Sequence, residues 1–123
     1  MSLSLIMRIS AGYTGLWVLM MALTPAMVAG DLFGVELTAP LHAQMQFTAT
    51  AAAAVASIQW MVPTWAPASM AKFARLAAII WVVFALLNAS LISSGTMLAS
   101  VQNYSTPIIM AAIALLLWVK SRS

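Results

Sequence analysis

Four apolar stretches separated by short polar links constrain this chain more than any other feature. They occupy residues 3–29, 39–62, 70–93 and 104–119. A helix needs roughly 20 residues to cross about 30 Å of hydrocarbon, and lipid leaves no other way to satisfy the backbone of such a segment. The first three stretches meet that length. The apolar core of the fourth, Thr106–Val119, is short, so its span is expected to begin among Gln102–Tyr104 or its helix to sit with little tilt. The pattern predicts an all-α membrane protein, a single domain built as an up-down-up-down bundle of four transmembrane helices.

Composition agrees. The chain is 64% hydrophobic and 6% charged, against about 45–50% and about 25% for soluble domains, so it cannot present a charged surface to water. Charge placement then orients it. Arg8 opens the first stretch, Lys72 and Arg75 lie between the second and third, and Lys120 and Arg122 follow the fourth; Asp31 and Glu36 lie in the first link. Lys and Arg are retained on the cytoplasmic side during insertion, which predicts both termini inside (N-in/C-in), most simply in a bacterial inner membrane. The N-terminal stretch partly resembles a signal peptide near Ala26–Gly30. As a retained helix it keeps Arg8 on the side of the other four cations, and that reading is adopted. The net charge of +3 comes from cations in three separated places, which suits lipid headgroups and not nucleic acid. Without cysteine there is no disulfide, iron–sulfur ligation or thiol nucleophile.

Local chemistry punctuates the helices. Pro25 is expected to kink the outer end of helix one, and Gly30-Asp31 to end it. Thr38 is the expected N-cap of the second helix, with Pro40 in its first turn. Pro63 and Pro67 bracket Thr64-Trp65-Ala66, read as a compact turn, and Ser69 is placed to cap the third helix. Thr106-Pro107 reads as a cap-then-proline start of the fourth. Trp60, Trp65 and Trp118 form a cytoplasmic-side belt, with Tyr104 at the opposite interface. Trp17 and Trp81 fall deeper, where each indole N–H needs a partner or goes without one.

Polar residues within the apolar stretches are the candidates for function. On the second helix His42, Gln46, Thr50, Ala53, Ser57 and Trp60 lie within an arc of about 80°. Such a stripe should face the bundle interior or another protein. Small residues in Ala49–Ser57 would let a backbone approach, with Gln46 and Thr50 supplying interhelical hydrogen bonds; the competing reading is a groove for a ligand. Asp31, Glu36 and His42 are the only carboxylates and the only imidazole and form a candidate outer-side polar cluster, though their spacing matches no metal signature. Acids are favoured near a helix start and in an outer loop, which explains them more simply. Asn88 is expected to bond a facing helix. Gly12 and Gly15, with Ala11, read as a helix contact, and Arg8 as a cation snorkelling to headgroups.

The order of these features resembles the DoxX-like superfamily of small four-helix bacterial membrane proteins. The likeness is carried by Arg8 in a short lead, Gly12 and Gly15 in helix one, Pro25 near its end, Leu32-Phe33-Gly34 in the link, and an Ala-rich helix two. It covers most of the chain and implies a link to quinone-dependent electron transfer for some members, but it transfers no site residue.

No phosphate-binding glycine loop, HExxH motif or nucleophile triad is present. The chain is therefore not expected to be an enzyme, and no catalytic residue, metal or cofactor is required by its sequence. The leading expectation is an accessory or structural subunit of a larger inner-membrane complex, respiratory or photosynthetic. Its partners would be the lipid bilayer and other membrane subunits or further copies of itself. The alternative is a small membrane protein holding a quinone, lipid or pigment between its helices.

Overall fold

The computed structural model describes residues Met1–Ser123. Five α-helices follow one another: α1 (Leu3–Leu23), α2 (Pro25–Phe33), α3 (Ala39–Trp65), α4 (Met70–Ser93) and α5 (Val101–Lys120), with a 3-10 turn at Pro67–Ser69 before α4. α1, the turn plus α4 (Pro67–Ser93), and α5 are long and apolar enough to cross a membrane. The 27-residue α3 is as long as the longest of these but is diluted by Gln44, Gln46, Thr48, Thr50 and a run of alanines.

Prolines decide several of the boundaries. The first stretch is two helices and not one kinked helix over 3–29: Thr24 leaves helical geometry at φ −133°, ψ 52° and Pro25 starts α2. Proline disfavours a helical conformation in the residue before it. The Thr24 N–H and hydroxyl both donate to the Met20 carbonyl at 2.9 Å, closing the end of α1. Gly34 then terminates α2 with φ +65°, a left-handed conformation that glycine adopts without steric penalty. Thr38 caps α3 as expected, its hydroxyl accepting from the Leu41 N–H at 3.3 Å.

At the far end, α3 runs through Pro63 to Trp65, so Thr64 and Trp65 are helical and not part of a turn. Pro67 stops the helix instead, holding Ala66 at φ −139°. Ser69 precedes α4 but makes no side-chain cap bond. α5 starts at Val101, one residue ahead of the expected Gln102–Tyr104. Ser100 is its N-cap, its hydroxyl accepting from the Asn103 N–H at 3.1 Å, and Pro107 lies inside the helix. With 20 residues, α5 spans about 30 Å at 1.5 Å per residue, a full hydrocarbon thickness.

The closest helix approaches pair α1 with α3 and α4 with α5. The pairs meet in an eleven-residue core containing Ile6 and Met7 of α1, Val62 of α3, Ala78 and Trp81 of α4 and Leu117 of α5. Because this core joins the start of α1 to the end of α3, and the start of α4 to the end of α5, each pair is antiparallel. A smaller cluster of Val28, Ala29 and Met45 closes the other end. Only 23 of 123 residues are buried, so most of the apolar composition lies outside, where Leu19, Phe47, Val83, Leu86 and Ile108 are exposed. An apolar exterior of this kind is what a hydrocarbon solvent calls for. The cations gather at the first core: Arg8 lies over Trp60 and Arg122 over Trp118, while Arg75 Nη2 donates to the Ser121 carbonyl at 3.2 Å.

Candidate functional site

A polar node sits inside the larger core. Ser10 of α1 is fully buried; its hydroxyl donates to Gln59 Oε1 of α3 at 2.9 Å and accepts from the Trp81 indole Nε1–H of α4 at 2.7 Å. One hydroxyl thus satisfies a buried amide oxygen and a buried indole, joining three helices. Trp81 finds the partner its depth called for, whereas the shielded Trp17 Nε1 has none. Neither Ser10 nor Gln59 stands out in the sequence. The available signal was the shared register of Ser10 with Ile6, Met7 and Ala11, all buried on one face of α1. The node holds no titratable group, so its chemistry is that of a structural tie.

A second tie lies at the opposite end. The Asn103 side chain is fully buried, and its Nδ2 donates to the carbonyls of Leu98 at 2.8 Å, Asp31 at 3.1 Å and Leu32 at 3.4 Å. The Leu98 N–H donates to the Leu32 carbonyl at 2.8 Å. Together these bonds fasten the α4–α5 connection to the end of α2. Asn103 Oδ1 is shielded and unpaired.

The stripe on α3 takes an unexpected direction. The buried face of that helix carries Met45, Ala49, Gln59 and Val62. Gln46, Thr50 and Ser57 are exposed and His42 is half-buried. The Thr50 hydroxyl donates to the Gln46 carbonyl at 2.8 Å and that of Ser57 to the Ala53 carbonyl at 2.7 Å, both one turn back on the same helix. The interhelical bonds expected of Gln46 and Thr50 are not formed; Gln59 makes the one that α3 contributes. At the end of the bundle away from the cations Asp31 and Glu36 are exposed, and they do not converge with His42 into a group able to hold a metal ion. Asn88 does reach a neighbour: Nδ2 donates to its own Phe84 carbonyl at 2.9 Å and meets Met110 Sδ of α5 at 3.7 Å.

Beside the stripe runs a groove between α1 and α3. It consists of two adjoining shallow, open depressions of about 420 and 520 Å³ that share Gly12, Ala56 and Ser57. Gly15, Leu19 and Ala53 extend it away from the cation-bearing end, and Ala11, Trp60 and Met61 line the other end. Gly12 and Gly15 do not bring helices together within the chain. A Cβ built on either would meet nothing within 4 Å, so their missing side chains shape an open wall. Ala11, at 3% exposed, makes the buried contact in their place. Arg8 stands at the Trp60 end, its guanidinium carbon 5.6 Å from the indole ring centroid and its Nε shielded without a partner.

Fold and surface define an all-helical membrane protein, a bundle with an apolar exterior. Searches against protein-family models, curated proteins and solved structures return no match to this chain.

Proposed function

We propose that this chain is a non-catalytic accessory subunit of a larger inner-membrane assembly, a four-span bundle with both termini in the cytoplasm. The observation that carries the reading is the outward direction of α3's polar residues. Gln44, Gln46, Thr48 and Thr50 are all exposed in the outer half of the helix. The threonine hydroxyls are satisfied by their own backbone, but the two glutamine amides find no partner in the chain. An amide facing hydrocarbon without a hydrogen bond costs several kcal/mol, on the order of 4–8 on the cyclohexane scale. Neighbouring membrane subunits would remove that cost by bonding the amides, which point about 160° apart and so call for a partner on each side of α3.

Purification in mild detergent followed by mass spectrometry tests this. Larger membrane subunits should co-elute in fixed stoichiometry, and a Gln44→Leu/Gln46→Leu variant should shed them while staying folded. Elution of the wild-type chain alone, at its own 13.1 kDa mass, would overturn the proposal.

A second reading, a protein that holds an apolar molecule between its helices, is favoured by the α1–α3 groove. The groove is shallow and open along its length, so what it would hold is an apolar molecule lying against the outside of α1 and α3.

A further inference from the structure

We infer that the end of the α4–α5 hairpin that carries Lys72, Arg75, Lys120 and Arg122 is a binding site for one anionic phospholipid. Its phosphate meets the two arginines, and its acyl chains lie along the outward face of the same two helices.

The cations are gathered and partly fixed in place. Arg75 of α4 reaches across to α5, its Nη2 donating to the carbonyl of Ser121 at 3.2 Å, and Ser121 is the residue that follows α5. Lys72, three residues before Arg75, shares its face of α4, and both are exposed. Lys120 and Arg122 flank Ser121, and the Arg122 guanidinium carbon stands 4.7 Å from the Trp118 ring centroid. Four cations are thus collected where the start of α4 meets the end of α5, and a contact within the chain orients each guanidinium.

No acidic side chain offsets them. Asp31 and Glu36 are the only two in the chain. Asn103, which bonds the Asp31 carbonyl, stands about 25 Å along α5 from Lys120 at 1.5 Å per residue. The occupant is therefore an anion, and the planar fork of a guanidinium matches the oxygens of a phosphate.

The surface beneath the cations selects an amphiphile. On α4 the exposed Ile79, Val82 and Leu86 continue the line of Lys72 and Arg75 at three- and four-residue spacing. On α5 the exposed Leu115, Ala111 and Ile108 continue the line of Trp118 in the same way. Each line follows its helix's buried face by one residue: Arg75 comes after buried Ala74, and Trp118 after buried Leu117. One residue is about 100° of rotation, and in an antiparallel pair the same rotation brings both lines to one side. The cations therefore head a two-helix apolar face, which suits a phosphate carrying two acyl chains. Inorganic phosphate would leave that face unused, and a zwitterionic lipid would leave the net positive charge without a counterion.

The full chain, reconstituted in nanodiscs of equal parts phosphatidylcholine and phosphatidylglycerol and released for native mass spectrometry, provides the test. Wild type should retain one phosphatidylglycerol in preference to phosphatidylcholine. Arg75→Gln and Arg122→Gln should each lower that retention about tenfold, as for loss of a charge-assisted hydrogen bond, with unchanged helical circular dichroism. Arg8→Gln is the control, since Arg8 is stacked on Trp60 of the other helix pair, and should leave retention unchanged.

Equal retention of the two lipids by wild type overturns the inference. So does an equal loss in Arg8→Gln, which would reduce the effect to the diffuse positive field of that end. Displacement of the lipid by inorganic phosphate, but not by chloride at the same ionic strength, would make this a small-anion site instead. Release of a co-purifying protein by folded Arg122→Gln, with lipid retention unchanged, would assign the cations to a protein partner. The accessory-subunit proposal is tested separately, by co-elution and the glutamine variants, and stands or falls without this site.

Discussion

The Trp81 indole N–H and the Ser10 hydroxyl meet at 2.7 Å in the centre of the largest apolar cluster, and Ser10 in turn donates to Gln59. This hydroxyl is therefore the point at which α1, α3 and α4 are locked in mutual register. Lipid and core are equally apolar, so the hydrophobic effect does little to tell these helices which faces to present to one another. A buried polar node does.

Ser10→Ala should accordingly destabilise the bundle by about 1–3 kcal/mol, because it strands a buried indole donor and a buried amide oxygen together. Thermal unfolding in detergent measures the loss. Adding Gln59→Leu to that variant should cost less than the two single changes summed, since the second removes a group the first has already left unpaired. Strict additivity would mean that the three residues do not act as a unit.

Asn103→Asp keeps the shape of the side chain but replaces its amide donor, which now serves three carbonyls. A carboxylate there faces those oxygens, and the expected cost is at least about 1–3 kcal/mol. Asn103→Leu should be milder, because it introduces no charge. Both should increase proteolysis between Gly95 and Ser100, the connection that Asn103 fastens to α2.

Gly34→Ala should cost about 1–2 kcal/mol, the penalty for placing a Cβ in the left-handed region. The φ of +65° sets that penalty, and the new methyl would also stand 3.1 Å from Leu98 Cδ2. Val35→Ala, its exposed neighbour, should leave the unfolding temperature unchanged.

The chain lacks cysteine, so single cysteines report topology without background. Ser2→Cys and Ser123→Cys should react with a membrane-impermeant maleimide only after the cytoplasmic face is opened, and Glu36→Cys from the outer face of intact cells. Labelling of Ser2→Cys and Ser123→Cys from opposite sides would overturn the proposed orientation.

The fold was legible in the sequence where local chemistry is strong, and the candidate sites much less so. Thr38 marks the start of α3 because a threonine hydroxyl in extended backbone caps whatever helix follows it. The third apolar stretch coincides with α4 at both ends, since polar residues flank it closely. Pro63 and Pro107 misled, each read as a helix boundary though each lies inside a helix. A proline removes only one hydrogen bond and clashes with one carbonyl, which a long helix packed against its neighbours can absorb. Pro25 and Pro67 do terminate helices, through the non-helical conformations of Thr24 and Ala66.

By itself, then, the sequence determined most of the helical stretches, though not every break between them, and at which end the cations collect, because apolar length, caps and charge act within a few residues of chain. Tertiary structure alone decided which face of each helix turns inward. On a helix that is apolar almost all round, the inward face is chosen by shape and by the few hydrogen bonds that can close across helices. That choice put Ser10 and Gln59 in the core, left His42, Gln46, Thr50 and Ser57 at its edge and outside, and opened Gly12 and Gly15 onto a groove.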